Sequence, residues 1–148
     1  MNDALERLRA ESDCRDLVLA AAAAVDAPDP DAFAALFAPD GVLERPDGSR
    51  LGGREAIRAA YAARGSERLT RHLITNHVVR LGEPGSATSH CSVLLWSGRR
   101  SDPAAPQGRP ADARQQVGEF DDVLVRLDEG WRIARRSARF VLCRDVAG

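Results

Sequence analysis

The residue best suited to acid–base chemistry is His72, which lies in a stretch with the alternating pattern of a β-strand, residues 70–81. Side chains of a strand point alternately to its two faces, so His72 and Asn76 are predicted to share one face and His77 the other. An imidazole titrates near neutral pH and can both accept and donate a proton. His72 is therefore the candidate catalytic residue. Asn76 is a candidate for orienting a substrate oxygen or, as the alternative, for satisfying backbone hydrogen bonds.

A second group of candidates is aromatic or cationic. Trp96 and Tyr61 can stack on a flat ligand and place a polar tip in a pocket, and Phe33 is a further candidate for substrate contact. Packing in the hydrophobic core is the alternative for all three. Arg136 and Arg139 are predicted on opposite faces of the last strand, so one of them can enter a pocket and bind an anion. A position in solvent or at an interface is the alternative for both.

Several stronger signatures of chemistry are absent from the sequence. It has no glycine-rich phosphate loop, no GxSxG elbow and no HExxH motif, which argues against nucleotide hydrolysis, serine hydrolysis and zinc proteolysis. Cys14, Cys91 and Cys143 are too far apart for a zinc-binding pattern. No cofactor and no metal site are predicted. The cysteines are interpreted as small buried hydrophobes of a reducing compartment, which favours a cytoplasmic protein.

Composition limits the partners. The chain has 148 residues and a net charge of -1, so it offers no overall basic surface for nucleic acid. Its longest apolar run, Leu17–Val25, has nine residues and is too short to span a membrane. Asp121 and Asp122 are predicted to form a charged outer edge of the sheet. A small hydrophobic molecule is the predicted ligand.

The first third of the chain is predicted to be helical. Apolar residues recur at steps of three and four from Leu5 to Val25, which predicts an amphipathic helix. Asp29 followed by Pro30 predicts the capped start of a short second helix, which a turn at Pro39–Gly41 closes. Gly53 is predicted to begin a third helix.

The rest of the chain is predicted to form an antiparallel sheet. The predicted strands are Val42–Arg45, Thr70–Leu81, Ala87–Ser97, Gln115–Leu127 and Trp131–Cys143. Residues 98–114 lack periodicity and are predicted to be a long, mobile hairpin loop inside a single domain, 1–148. This order of elements indicates an α+β fold with helices packed on one face of the sheet.

The order and spacing of several short strings resemble the SnoaL-like family of the nuclear-transport-factor-2-like superfamily. The strings are Ala24–Asp26, Asp29–Phe33, Leu36–Gly41, Gly53–Ile57, Arg71–Asn76 and Gly130–Ile133 with Arg136. The resemblance covers about residues 5–143. It implies a cone-shaped half barrel, a cystatin-like α+β roll in which a curved antiparallel sheet packs on three N-terminal helices. It also implies a ligand in the mouth of the cone and, usually, a homodimer.

The resemblance also implies a partner for His72. In the scytalone-dehydratase branch, a histidine of the corresponding strand faces the pocket beside an aspartate at the end of the first helix, which here places Asp26 next to His72. The carboxylate would fix the tautomer of the imidazole and let it move a proton. The sequence departs from that branch in two places. Val25 replaces a tyrosine, and Trp96 stands near the position of a second pocket histidine.

Two main hypotheses of function follow. The first is a cofactor-independent dehydratase, isomerase or cyclase in which His72 and Asp26 perform general acid–base catalysis on a small, ring-containing, apolar substrate. The alternative is a non-catalytic homodimer of the same fold that binds a small molecule or a protein partner. A subunit of a larger oxygenase is a third interpretation. The outer sheet face, predicted to carry Val93 and Leu95, is the predicted dimer surface.

Overall fold

The structure, a computed structural model, describes residues 3–146. Its helices and strands are α1 (Asp3–Asp26), α2 (Pro30–Ala35), β1 (Phe37–Glu44), β2 (Arg50–Gly52), α3 (Arg54–Ala63), β3 (Arg68–Leu81), β4 (Ser86–Arg99), β5 (Arg114–Leu127) and β6 (Gly130–Asp145). The predicted order of elements is confirmed, and β2 is one short strand more than predicted. The outer bounds of the predicted domain, residues 1 and 148, lie outside the described residues.

The strands form one curved, unclosed sheet in the order β2-β1-β6-β5-β4-β3. Neighbouring strands are antiparallel except β1 and β6, which run parallel. The three helices precede the four long strands and cover one face of the sheet, so the predicted α+β architecture is confirmed. Within residues 3–146, no helix combines the length and the apolar character needed to cross a membrane.

Helix α1 packs on the sheet through its apolar face. Cys14, Val18 and Ala21 are fully buried, and Leu17 is nearly so. Burial of these side chains, at about 25 cal/mol per Å² of apolar area, is what holds a helix of this kind against the sheet. The end of α1 at Asp26 consequently lies beside β3.

The second helix begins as predicted. The Asp29 side chain caps it by accepting a hydrogen bond of 3.0 Å from the N–H of Ala32, and Pro30 occupies the first helical position. The cap and the proline fix the point where the chain leaves α1. Phe33 is thereby buried against the core.

The predicted turn at residues 39–41 is wrong, because β1 runs through it. The partners of β1 on β6 shift from Phe37↔Ile133 to Val42↔Arg135, so residues 38–41 form a wide irregularity in the strand. Gly41 is required there, since a Cβ atom would lie 2.9 Å from the carbonyl oxygen of Ile133. The turn signals in the sequence mark this irregularity.

The segment between β4 and β5 is shorter than predicted, because both strands extend further than the sequence pattern indicates. Gly98 pairs with Ala111 as an isolated bridge, and the N–H of Arg100 donates to the carbonyl of Glu67 over 2.8 Å. The guanidinium of Arg100 also donates to the backbone carbonyl of Asp26 over 3.1 Å. The mobility of this loop stays a prediction.

Candidate active site

A cavity of about 460 Å³ lies between the helices and the concave face of the sheet. This volume is in the range of sites for small molecules. Most of the wall is apolar, and its side chains come from α1, α2 and three strands: Val25, Phe33, Leu43, Val93, Leu95 and Phe120. A site with this lining favours a ligand whose body is apolar.

The end of α1 and strand β3 place Asp26 against His72. Asp26 Oδ1 lies 2.6 Å from His72 Nδ1, and the two side chains are 15% and 16% exposed. The other carboxylate oxygen accepts a hydrogen bond of 2.9 Å from the N–H of His72, and the Thr70 hydroxyl donates to Oδ1 over 2.8 Å. His72 and Thr70 line the cavity. The carboxylate thus holds the imidazole in one orientation in the cavity wall.

The charge state of Asp26 defines what His72 can do. Burial opposes ionisation of the carboxyl, but the hydrogen bonds from His72 and Thr70 outweigh it and hold the pKa of Asp26 below its usual value. An ionised Asp26 only accepts hydrogen bonds, so Nδ1 of His72 carries the proton. In the neutral imidazole, Nε2 then carries the lone pair. This is the arrangement of a general base.

Arg136 lines the cavity and forms a buried ion pair with Asp122 behind it. Arg136 donates from Nε and Nη2 to the two carboxylate oxygens of Asp122 over 2.7 and 2.8 Å, and both side chains are almost inaccessible. The guanidinium carbon lies 4.2 Å from the centroid of the Phe120 ring. Burial alone would lower the pKa of Arg136, but the contact with Asp122 outweighs it and raises the pKa. The pair gives the cavity one fixed polar surface.

Comparison with known proteins identifies the family. The model of the SnoaL-like domain family matches residues 6–137. The chain belongs to this family. No protein among the curated ones matches the sequence.

Solved structures show that this SnoaL-like domain has an NTF2-like, cystatin-like fold. An NTF2-like protein with a cystatin-like fold from Novosphingobium aromaticivorans is 20% identical, with a TM-score of 0.70 over 94% of this chain and 86% of that one. A proposed scytalone dehydratase from the same organism is 22% identical, with a TM-score of 0.78 over 100% and 93% of the two chains. A type 2 hexachlorocyclohexane dehydrochlorinase, LinA, is 16% identical, with a TM-score of 0.81 over 97% and 93%.

Tyr61 and Phe33, two predicted substrate contacts, both line the cavity of the SnoaL-like domain. Their ring centroids are 4.4 Å apart, so they form one aromatic surface contributed by α3 and α2. Burial raises the pKa of Tyr61, which keeps its hydroxyl protonated and able to donate. Both residues also pack against the core, so the alternative named from the sequence holds at the same time.

The predicted orientation of Asn76 is wrong, because β3 contains a bulge. Asn76 has a φ of 50°, and the partners of β3 jump from Thr75↔Ser92 to Val78↔His90. The extra residue exchanges the faces of everything that follows, so Asn76 is exposed. His77 turns inward instead, and its Nε2 lies 2.7 Å from the Ser89 hydroxyl.

The predicted orientation of β4 is also wrong. Val93 and Leu95 line the cavity, whereas Trp96 is 46% exposed and does not line it. Cys91 and Val93 pack with Val18 of α1, and this packing determines which face of β4 points toward the helices. Trp96 therefore lies on the outer face of the sheet, and the prediction that it contacts the substrate is wrong.

Two residues at or beside the site, Asp122 and Thr70, were not identified from the sequence. Asp122 was predicted at an outer edge, but it is buried beside Arg136, and Asp121 alone points outward, to His90 and Arg139. Neighbouring residues of a strand point to opposite faces, so Asp121 and Asp122 cannot both lie on the outer face. This alternation alone indicates that one of them points inward. Thr70 was missed although it lies two residues before His72 and therefore on the same face.

The lowered pKa of Asp26 predicts a loss of stability in acid. A carboxyl whose pKa is lower in the folded than in the unfolded chain stabilises the fold above the unfolded value, about 3.9 for aspartate. That contribution disappears as the pH falls from about 5 through the folded value. Urea denaturation of the wild type and Asp26→Asn from about pH 6 to about pH 2 is the measurement. The wild type should lose more unfolding free energy over this range. Equal losses would contradict the prediction.

Proposed function

We propose that this SnoaL-like protein is a cofactor-independent lyase or isomerase, of the dehydratase, isomerase or cyclase type, acting on a small ring-containing substrate. The observation that carries the proposal is the contact of 2.6 Å between Asp26 and His72 in the wall of an apolar cavity. The names of two similar structures, a proposed dehydratase and a dehydrochlorinase, describe eliminations, and eliminations need a base.

His72 acts as the base in this proposal. Its Nε2 removes a proton from a carbon next to a carbonyl group, and Asp26 stabilises the imidazolium that forms. The imidazolium then returns the proton to a leaving hydroxyl in a dehydration, or to another carbon in an isomerisation. The hydroxyl of Tyr61 donates a hydrogen bond to the substrate oxygen on which negative charge develops.

The alternative is a binding protein without turnover, and one observation favours it. Asp26 accepts hydrogen bonds from the backbone of His72 and from Thr70, so it also ties the end of α1 to β3. A purely structural pair would show the same contacts. The two functions therefore differ in what a change at His72 does to turnover and to stability.

The proposal extends to assembly and location. The outer face of the sheet exposes Leu73, Leu94 and Trp96, and a second copy of the chain would cover these apolar side chains in a homodimer. Cys14 and Cys91 are free thiols whose pKa burial raises to about 11, which suits a reducing cytoplasm.

A ligand screen tests the proposed site. Thermal unfolding of the wild type, His72→Asn and His90→Asn is followed with ring ketones, naphthols and steroids. His90 is the matched control, because its Nδ1 also lies 2.7 Å from an aspartate, Asp121, but on the outer face. A compound at about 100 times its Kd should stabilise the wild type and His90→Asn by about 2.7 kcal/mol.

The comparison of the variants decides the outcome. His72→Asn should unfold near the wild-type temperature without ligand and respond less to the compound, which is then assayed for loss of water or isomerisation. Early unfolding of His72→Asn, with an unchanged response to ligand, would make His72 structural. The binding function would then replace the catalytic one.

A further inference from the structure

The cavity has a cationic entrance formed by Arg45, Arg64 and Arg68, called here the mouth arginines. All three line the cavity and come from different elements. Arg45 follows β1, Arg64 ends α3, and Arg68 begins β3. Arg64 and Arg68 are exposed and Arg45 is half-buried, so the three guanidinium groups stand where the cavity opens to solvent.

The mouth arginines lack acidic partners. Among residues 3–146, no carboxylate lies within ion-pair distance of any of the three. Asp47, the acid in the cavity lining, accepts hydrogen bonds of 2.9 and 2.6 Å from the N–H and hydroxyl of Ser49. These bonds and, to a smaller extent, the charge of Arg45 lower the pKa of Asp47. Arg45 is thus partly balanced, and the positive charge of Arg64 and Arg68 faces the entrance.

The other two cavity arginines differ from the mouth arginines in this respect. Arg136 is paired with Asp122, and Arg139 with Glu119 and Asp121. The two cavity arginines of β6 are thus neutralised, whereas the mouth arginines are not. Like charges that line one cavity repel one another, and an anion bound among them would offset this repulsion.

Two of the mouth arginines are held in place by neutral groups. Nε of Arg45 donates to the Ser49 hydroxyl over 2.7 Å, and the guanidinium carbon of Arg64 lies 4.9 Å from the centroid of the Tyr61 ring. A guanidinium that is already positioned loses less conformational freedom when it binds a ligand. Its forked donors match the oxygens of a carboxylate or phosphate.

We infer that the mouth arginines recognise an oxyanion, and that the substrate is an amphipathic anion whose ring body enters the apolar cavity. The inference rests on the proposed function, since it specifies the substrate class of the same cavity. The low-polarity walls strengthen the field of the uncompensated cations, which attracts an anionic ligand and orients it with its charge outward.

Strand β3 also sets the distance between the anionic group of this substrate and its reacting carbon. Arg68, Thr70 and His72 follow one another at alternate positions of β3 and all line the cavity. Four residues of an extended strand separate the Cα atoms of Arg68 and His72 by about 13 Å. The anionic group therefore lies one ring system away from the carbon that reacts at His72.

Calorimetric titration with naphthoate, naphthyl phosphate and the neutral naphthamide tests the inference. Wild type, Arg64→Gln, Arg68→Gln and Arg99→Gln are compared. Arg99 is the matched control, because it is the cross-strand partner of Arg68, is exposed and lies outside the cavity lining. The better anion should bind the wild type at least about tenfold more tightly than naphthamide, as for a charge-assisted hydrogen bond. Arg64→Gln and Arg68→Gln should each weaken it by about tenfold.

Each outcome bears on the inference. Tighter binding of naphthoate indicates a carboxylate substrate, tighter binding of naphthyl phosphate indicates a phosphate, and either supports oxyanion recognition. Equal binding of anions and naphthamide, equal losses in Arg68→Gln and Arg99→Gln, or no binding of any probe at millimolar concentration would overturn it. His72→Asn should keep the anion preference. Failure of the proposed catalysis, which appears only in turnover, is therefore distinguishable from failure of this inference.

Discussion

Replacement of Asp122 by alanine is expected to lower the free energy of unfolding by about 3–5 kcal/mol, the cost of leaving a buried charge unpaired. The guanidinium of Arg136 has both of its carboxylate bonds, 2.7 and 2.8 Å, to this one residue. It lies within β6 and is only 3% exposed to solvent. For a domain of this length the loss corresponds to a fall in Tm of about 10 °C. Urea denaturation and thermal unfolding measure the two quantities.

Two controls separate the ion pair from other effects. Asp121→Ala removes the neighbouring aspartate, which is exposed and pairs with Arg139, and it should cost no more than about 1 kcal/mol. The double variant Asp122→Leu/Arg136→Met replaces both charges by apolar groups and should recover most of the lost stability. A double variant as unstable as Asp122→Ala would show that the charges themselves are not the cause.

The types and order of the elements were predictable because each rests on local signals. The Asp29-Pro30 cap lies within a few residues of the helix that it starts. The long strands β3, β4 and β5 alternate over many residues, so their existence was clear. The resemblance added the arrangement of these elements, which the structure confirms.

The faces of the strands were less predictable, because a single bulge exchanges them. The alternation predicted from His72 holds up to Thr75 and fails at Asn76, where the backbone takes a positive φ. Asparagine is among the residues that adopt this conformation most readily, but it does so in few strands. For β4, the four consecutive apolar residues Val93–Trp96 occupy both faces, so the pattern did not decide which face is inward, and the predicted orientation was wrong. Packing against Val18 of α1 decides it.

Partnerships across the sheet could not be obtained from spacing. The contact between Asp26 and His72 joins residues 46 positions apart, and only the resemblance suggested it. The contact between Asp122 and Arg136 was missed, because nothing in the sequence states which residues of β5 and β6 are opposite each other. The mouth arginines were equally hidden, since three separate elements bring them together.

The contact between Asp26 and His72 leads to the second prediction with a large expected effect, on kcat. Asp26→Asn is expected to lower kcat by about 10²–10⁴, once a substrate is identified, while KM changes little. If the asparagine oxygen accepts from the N–H of His72, its NH₂ group faces Nδ1 of the imidazole. Nδ1 must then accept, the ring proton moves to Nε2, and the base loses its lone pair toward the substrate. Asp26 thus acts as a positioning residue for His72.

Asp29→Asn is the matched control for this experiment. It removes the same charge three residues away, and asparagine caps a helix as well as aspartate does. Its kcat should stay at the wild-type level. Asp26→Asn should also change the pH dependence of kcat, because the altered tautomer changes which form of His72 is active. A kcat within tenfold of wild type, with an unchanged pH profile and a lowered Tm, would show that Asp26 only ties α1 to β3. His72 would then act without it or not at all.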